Sequence, residues 1–344
     1  MGPRTTGARF PYLDAVKETR REYSLRRLSE LSQELEPVAP LLKDHRLCVY
    51  ATGSYGRLEA WSGSDIDLFF LDDASDETKP FPFTGFIRVS ARLIEATESM
   101  DFPPFSGDGK YLEVLSVSEM EAVLGSPRDD SLNAFTARML LLLESQPLDY
   151  EELYETLLKR IIGFYYRDFA DHEAEFVPVF LLNDILRFWR TLTLNYEHHR
   201  LKLRDLAGDE LVAKKADSAL KNYKLKVSRL ATCFSMVANL SSATAPVELE
   251  AVFELCRMTP SERLDRLAAG GDRAGGIVAE LTERYDRFLD LVQRDESELL
   301  REFADEDARK EALSDAAAYG DKIYELLVEV VQATAPERMR YLVI

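Results

Sequence analysis

The sequence contains few of the residues that build disulfide frameworks and nitrogen- or sulfur-rich metal centres. It has three cysteines, which lie far apart and form no C-x-x-C pair, and four histidines. These counts argue against a disulfide scaffold, a zinc ribbon and a histidine-rich metal site, and favour a reducing compartment. No segment approaches the ~20 consecutive apolar residues of a membrane span, and the N-terminus lacks the apolar stretch of a signal peptide. We therefore expect a cytoplasmic protein with no membrane partner.

Positively charged residues are outnumbered by negatively charged ones. Lys and Arg number 43 against 61 Asp and Glu, so the 344-residue chain carries a formal net charge of −18. A field of that sign repels phosphates, and long nucleic acid bound without sequence preference is not an expected partner. A local basic patch can still bind a small polyanion. Hydrophobic residues make up 46% of the chain, which is enough for a folded core.

The first third of the chain mixes helical and strand-like patterns. The spacing of apolar residues predicts amphipathic helices at 13–36 and 86–99. Short apolar runs predict strands at 46–52, 66–71 and 110–117. The second run is apolar on both faces after its start, which is typical of a buried central strand.

The remainder of the chain has a helical pattern. Ser118, with Glu121 three positions later, resembles a capping box that opens the helix after the third strand. Beyond residue 130 we expect long helices and no further strand. The prediction is an α+β protein of two domains, with a small mixed sheet in residues 1–128 and an all-helical domain in residues 129–344.

The segment between the first two strands contains the residues best suited to chemistry. Gly53 and Ser54 follow the first strand, and Asp65 and Asp67 open the second. Residues two apart in a strand point to the same face, so the two carboxylates project together. Carboxylate oxygens suit hard cations such as Mg²⁺. A glycine lets the backbone approach a phosphate, and the serine adds a hydroxyl and an N–H near a helix start.

Residues 53–71, GSYGRLEAWSGSDIDLFFL, resemble the active-site signature of the DNA polymerase beta-like nucleotidyltransferase superfamily. The resemblance is greatest to the branch of bacterial signal-protein uridylyltransferases and glutamine-synthetase adenylyltransferases. Gly56, Arg57 and Glu59 match the Gly-Arg-x-Glu of that branch, and Ser64 precedes the first aspartate as it does there. The match is tight over these residues and loose over about 50–117.

The resemblance implies a palm-like sheet and a Mg²⁺-dependent (or Mn²⁺-dependent) transfer of an NMP from an NTP to a hydroxyl. It implies that Asp65 and Asp67 are catalytic metal ligands. It also implies that Gly53, Ser54 and Arg57 bind the nucleotide. The acceptor that the branch favours is a protein side chain, while a second nucleotide and an RNA end stay open.

Members of this superfamily use a third carboxylate from a neighbouring strand. Glu113 is our candidate, as a catalytic metal ligand and general base, because an acid among the apolar residues of KYLEVLSV is out of place unless it binds something. An edge-strand residue facing water is the alternative. Glu95, Glu98 and Asp101 are weaker rivals on or just after a predicted helix. The family more often has Asp at this position, and Glu is a longer ligand.

The helical half contains one basic segment. Residues 200–229 hold nine basic and four acidic residues within an acidic protein. Superfamily members often present a Lys and a Ser or Tyr from the helical domain to the triphosphate. Lys224 and Ser228 lie at i, i+4 on one helix face, one turn after Lys221, and are our candidates for nucleotide binding. The acidic run 295–311 is interpreted as a solvated face or loop.

Two alternatives from other functional classes stay open. Arg167 and His172 fit the Arg-x4-6-His pattern of HEPN-type ribonucleases, although such a loose pattern often arises by chance. The same fold without its third carboxylate would be a nucleotide-sensing module that binds an NTP and transfers nothing.

Overall fold

The computed structural model describes residues 11–73, 81–105 and 112–343. Within these ranges the chain is mostly helical. The first eight helices are α1 (Pro11–Glu34), α2 (Ala39–Asp44), α3 (Gly53–Gly56), α4 (Phe83–Ser99), α5 (Val117–Val123), α6 (Pro127–Ser131), α7 (Ala134–Leu143) and α8 (Glu151–Gly163). The others are α9 (Phe169–His172), α10 (Val179–Leu201), α11 (Gly208–Lys224), α12 (Leu230–Ser242), α13 (Leu249–Arg257), α14 (Pro260–Ala268), α15 (Asp272–Val292), α16 (Glu296–Ala304) and α17 (Glu306–Thr334).

The described residues form one mixed sheet of four strands. The strands are β1 (Leu47–Thr52), β2 (Asp67–Asp72), β3 (Val114–Ser116) and β4 (Gln146–Pro147), in the spatial order β3-β2-β1-β4. β1 is antiparallel to β2 and to β4, whereas β3 runs parallel to β2. The α+β class and the first two strands are confirmed. A palm-like fold stays a prediction.

Each face of the sheet packs in a different hydrophobic core. Val49 and Phe70 lie on one face and pack in a core with residues of α1 and α4. Tyr50 and Leu71 lie on the other face and pack in a second core, which continues through the later helices as far as α17. The alternation follows from the two-residue period of a strand. The predicted boundary after residue 128 stays a prediction.

The structure corrects two details of the predicted secondary structure. The third strand covers Val114–Ser116 rather than 110–117, of which 110 and 111 lie outside the described residues. The next helix begins at Val117, and its N-cap is Ser116, whose Oγ accepts a hydrogen bond from the Glu119 N–H at 3.3 Å. Ser116 and Ser118 are each followed three residues later by a glutamate, so the capping pattern fits both equally.

A short strand after residue 130 is a further correction. Gln146 and Pro147 form β4 and pair with Ala51 and Tyr50 of β1. Two residues are too few to produce an alternating pattern that can be recognised in a sequence. This strand ties the end of α7 to the sheet and to the turn that follows β1.

In the described residues, no helix is both long and apolar enough to cross a bilayer. The three cysteines are free and buried. Burial raises the pKa of the Cys233 and Cys256 thiols to about 12, so neither is a reactive thiolate near neutral pH.

Candidate functional site

The turn after β1 requires a glycine. Gly53 has φ +68°, in the left-handed region that residues with a side chain rarely adopt. A Cβ at this position would lie 3.1 Å from Oδ2 of Asp67, and Asp67 is the strand partner of Thr52. The pairing of β1 with β2 therefore places the Gly53 backbone against one carboxylate of the Asp-x-Asp pair.

Asp67 opens β2, and Asp65 lies two residues before it. Asp67 is half-buried at the start of the strand, Asp65 is exposed two residues earlier, and Ile66 between them is buried. Burial, followed by the negative charge of Asp65, raises the pKa of Asp67, while Arg229 and Arg57 act in the opposite direction. A paired set of carboxylates in this setting favours binding of a cation.

Both aspartates lie in a cleft of about 710 Å³ between the sheet and the later helices. Its sheet side is formed by residues of the motif segment, namely Gly53, Ser54, Arg57, Glu59, Trp61, Gly63, Ser64, Asp65 and Asp67. Its helical side is formed by residues of three regions, namely Lys221, Lys224, Leu225, Ser228, Arg229, Phe288, Leu289, Val292, Arg294, Asp295, Glu296 and Leu299. Arg20, Pro103 and Pro104 complete the lining. The structure thus brings together seven of the eight predicted site residues.

A π-helical turn follows α11 in the helical wall and contributes Leu225, Ser228 and Arg229 to the cleft lining. The turn covers Leu225–Arg229 and connects α11 to α12. In a π turn the hydrogen bonds run from residue i to i+5, which widens the helix by one residue, and such turns occur often at functional sites. Lys224 and Arg229 are five apart and both line the cleft, with Ser228 beside them. Regular helical spacing predicts Lys224 and Ser228 but not Arg229.

Lys224 lies between acidic groups of both walls. Partial desolvation in the cleft lowers the pKa of its ammonium group, and the nearby carboxylates of Asp65 and Glu296 act in the opposite direction. The side chain of Lys224 is nevertheless exposed to solvent. A cation so placed, opposite the Asp65–Asp67 pair, is available to a phosphate chain that enters the cleft.

Arg57, which lines the cleft, belongs to a largely buried ion-pair network. Its Nε donates to Glu59 Oε2 at 2.8 Å, and its Nη1 donates to Glu144 Oε2 at 2.6 Å. Arg229 contacts the other oxygen of Glu144, and Thr232 Oγ1 donates to Glu144 Oε2 at 3.2 Å. We define Arg57, Glu59, Glu144 and Arg229 as the buried quartet. The predicted contact of Arg57 with a nucleotide stays a prediction, since these ion pairs already engage two sides of its guanidinium.

Further hydrogen bonds tie the two walls together at Glu59. Tyr285 Oη of α15 donates to the Glu59 carboxylate at 2.8 Å from Oε1, and Arg20 Nη1 of α1 donates to the Glu59 carbonyl at 2.9 Å. Arg20 Nη2 also donates to the Leu289 carbonyl of α15. The floor of the cleft is therefore fixed by buried polar contacts between the sheet side and the helical side.

Glu113 is not brought to the aspartate pair. It is exposed, directly precedes β3, and does not line the cleft. The register Phe70↔Val114 places Glu113 level with Phe69, two residues or roughly 7 Å along β2 from Asp67. Within the described ranges, no group of three Asp, Glu, His or Cys side chains is arranged to hold a metal ion. The role of Glu113 as third ligand and base stays a prediction.

The other candidates lie outside the cleft. Glu95 and Glu98 are exposed on α4, and Asp101 follows that helix. Arg167 and His172 of the ribonuclease pattern are both exposed, and neither contributes to the cleft lining.

Several residues that line the cleft were not among the site residues predicted from the sequence. Asp295 and Glu296, which we interpreted as part of a solvated acidic face, line the cleft at the start of α16. Trp61 and Arg229 line it as well. Trp61 lies inside the motif segment and could have been selected for that reason, whereas the two acids are placed there only by helix packing.

Comparison of this chain with protein-family models, with curated proteins and with solved structures found no match.

Proposed function

We propose that the protein is a nucleotidyltransferase that moves an NMP from an NTP to a hydroxyl group and releases pyrophosphate. One observation carries the proposal: the Asp65–Asp67 pair faces Lys224, Ser228 and Arg229 across a single cleft. Paired carboxylates suit the divalent cation of an NTP, and cations opposite them suit its phosphates. The resemblance of residues 53–71 to the nucleotidyltransferase signature supports the same function.

The donor set fits Mg²⁺ or Mn²⁺, since both prefer oxygen ligands and the carboxylates of Asp65 and Asp67 line the same cleft. Such a cation, when bound, would neutralise charge on the phosphates and polarise the acceptor oxygen. Asp65 and Asp67 would hold it.

The remaining steps depend on residues of this chain. Lys224 and Ser228 contact the phosphate chain from the helical wall, and the Gly53–Ser54 backbone approaches it from the sheet side. The acceptor oxygen forms a bond to the α-phosphorus, the bond from that phosphorus to the bridging oxygen breaks, and pyrophosphate leaves with the electron pair. The hydroxyl proton passes to a carboxylate or to solvent. Positioning and charge stabilisation provide most of the acceleration in reactions of this kind.

The acceptor that we propose is a hydroxyl of a protein side chain, on the resemblance of the motif segment alone. A small nucleotide or an RNA end as acceptor would change the product and leave the cleft chemistry unchanged. The net charge of −18 makes long RNA the least compatible of the three.

Nucleotide binding tests the proposal before any acceptor is known. We expect the purified protein to bind at least one Mg²⁺–NTP in isothermal titration calorimetry. Lys224→Ala should weaken that binding by about 10- to 100-fold, the value of one charge-assisted hydrogen bond. Lys215→Ala is the matched control, because Lys215 is exposed on the same helix outside the cleft. Equal weakening by both variants, or no binding by the wild type, would contradict the proposal.

A further inference from the structure

We infer that Arg229 contacts the phosphates of the substrate and that Glu144 is the residue that positions it. The inference rests on the proposed function and adds a residue that neither the motif segment nor helical spacing predicts. Glu144 lies at the end of α7, more than 70 residues after the motif segment, and its side chain is 0% exposed.

Glu144 is shared by two arginines from opposite walls of the cleft. Arg57, from the sheet side, donates to Oε2 at 2.6 Å, and Arg229, from the π turn, contacts Oε1. The backbone on both sides of Glu144 is fixed, because α7 ends at Leu143 and Gln146 pairs with Ala51 of β1. A buried carboxylate that contacts one arginine with each of its oxygens restrains the positions of both guanidinium groups.

The buried quartet is neutral as a whole. Two arginines and two glutamates cancel, so the quartet adds no net charge to the cleft beside Asp65 and Asp67. The quartet is also sensitive to single changes, because removal of one partner leaves an uncompensated charge in a buried place.

Arg229 differs from Arg57 in its exposure. About 30% of its side chain is exposed, against 10% for Arg57. Among the residues that the structure describes, Glu144 is the ion-pair partner of Arg229, and a guanidinium has five N–H donors. The donors not used by Glu144 are available to a ligand in the cleft. Lys224, which directly precedes the π turn, lines the same wall of the cleft, so both cations can contact the phosphates of one ligand.

A double-mutant cycle tests the inference, with inorganic triphosphate and Mg²⁺ as the probe in calorimetry and with kcat and KM for the preferred NTP as a second readout. Arg229→Gln should weaken triphosphate binding by 10-fold or more. Glu144→Gln, which keeps the size of the side chain and removes its charge, should weaken it by a similar factor. The double variant should lose little more than either single variant, because Glu144 acts through Arg229. Arg229→Lys should recover part of the loss.

Asp129→Asn is the control for a purely structural effect. Asp129 is 0% exposed and pairs with buried Arg138 at 2.8 Å, outside the cleft. We expect this variant to lower thermal stability and to leave triphosphate affinity per folded molecule unchanged. If Glu144→Gln is too unstable to purify, Arg229→Gln and Arg229→Lys still decide the phosphate contact, because Arg229 is partly exposed.

The outcomes separate this inference from the proposed function. Wild-type affinity in both Arg229 variants, together with normal transfer by the wild type, would overturn the inference and leave the function intact. Additive losses in the double variant would overturn the positioning role of Glu144. Absence of both triphosphate and NTP binding in the wild type would overturn the inference and the proposed function together.

Discussion

Replacement of Gly56 by alanine tests the contact that joins the motif segment to the end of α7. A Cβ at Gly56 would overlap the Glu144 carbonyl oxygen, would lie 2.7 Å from its carbonyl carbon, and would lie 3.2 Å from the Ala51 carbonyl oxygen. Ordinary contacts of a Cβ begin at 3.4 Å. All three atoms belong to backbone, that of Ala51 in β1 and that of Glu144 between α7 and β4, so none can rotate away.

The cost of Gly56→Ala should therefore lie at the upper end of the range for overpacking, about 3 kcal/mol. We expect the Tm to fall by about 4 °C, measured by circular dichroism, since the unfolding entropy of a chain of this length is about 0.7 kcal/mol/K. The backbone shift should also disturb the Arg57–Glu144 ion pair and weaken Mg²⁺–NTP binding. Gly276→Ala is the matched control: Gly276 is exposed in α15 with no atom within 4 Å of an added Cβ, and alanine should stabilise that helix by about 1 kcal/mol. A Tm for Gly56→Ala within 1 °C or so of the wild type would refute the packing argument.

Three other predictions concern residues of the cleft and the alternative hypothesis of a ribonuclease. Gly53→Ala should cost about 1–2 kcal/mol of stability in the left-handed region and also weaken Mg²⁺–NTP binding in calorimetry, since its Cβ would press on Asp67. Gly208→Ala, at φ +61° with no neighbour within 4 Å, should show a similar loss of stability in urea denaturation and no loss of binding. Asp67→Asn should stabilise the metal-free protein at pH 7: the raised pKa means that the folded state disfavours the charged carboxylate, so the penalty grows as pH rises through the carboxyl range. Urea denaturation in EDTA should show this gain at pH 7 and its loss at about pH 3, where the carboxyl is protonated in both states; a gain that is equal at both pH values would contradict the pKa argument. His172→Ala should leave NTP binding unchanged. If the wild type cleaves RNA and this variant does not, the ribonuclease hypothesis would be favoured instead.

The part of the site that could be predicted from the sequence is the part that short-range rules determine. β1 begins one residue later than the predicted strand, and β2 is shifted by one residue at both ends. Asp65 and Asp67, two residues apart at the start of β2, line one cleft as the period-two argument predicts. Lys224 and Ser228 follow from helical spacing, because they lie on one face of a helical segment.

The rest depends on contacts between distant segments. Glu144 is an ordinary glutamate at the end of an apolar helix in the sequence, and only the fold places its carboxylate between Arg57 and Arg229. Arg229 lies at the end of a π turn and lines the cleft, and no residue in the segment predicts that turn. Glu113 illustrates the opposite case, since a pattern that suggests an inward-facing acid corresponds to an exposed residue just before a three-residue strand.

Transfer of label from an α-³²P-labelled NTP tests the central claim most directly. The purified protein would be incubated with Mg²⁺ and each of the four NTPs, with and without cell lysate, beside an Asp65→Ala/Asp67→Ala double variant whose folding is checked by circular dichroism. We predict that label from at least one NTP moves to an acceptor, with protein as the expected class, and that the double variant loses this transfer. Absence of transfer from every NTP by a wild type that binds Mg²⁺–NTP, or equal transfer by the double variant, would contradict the proposed function.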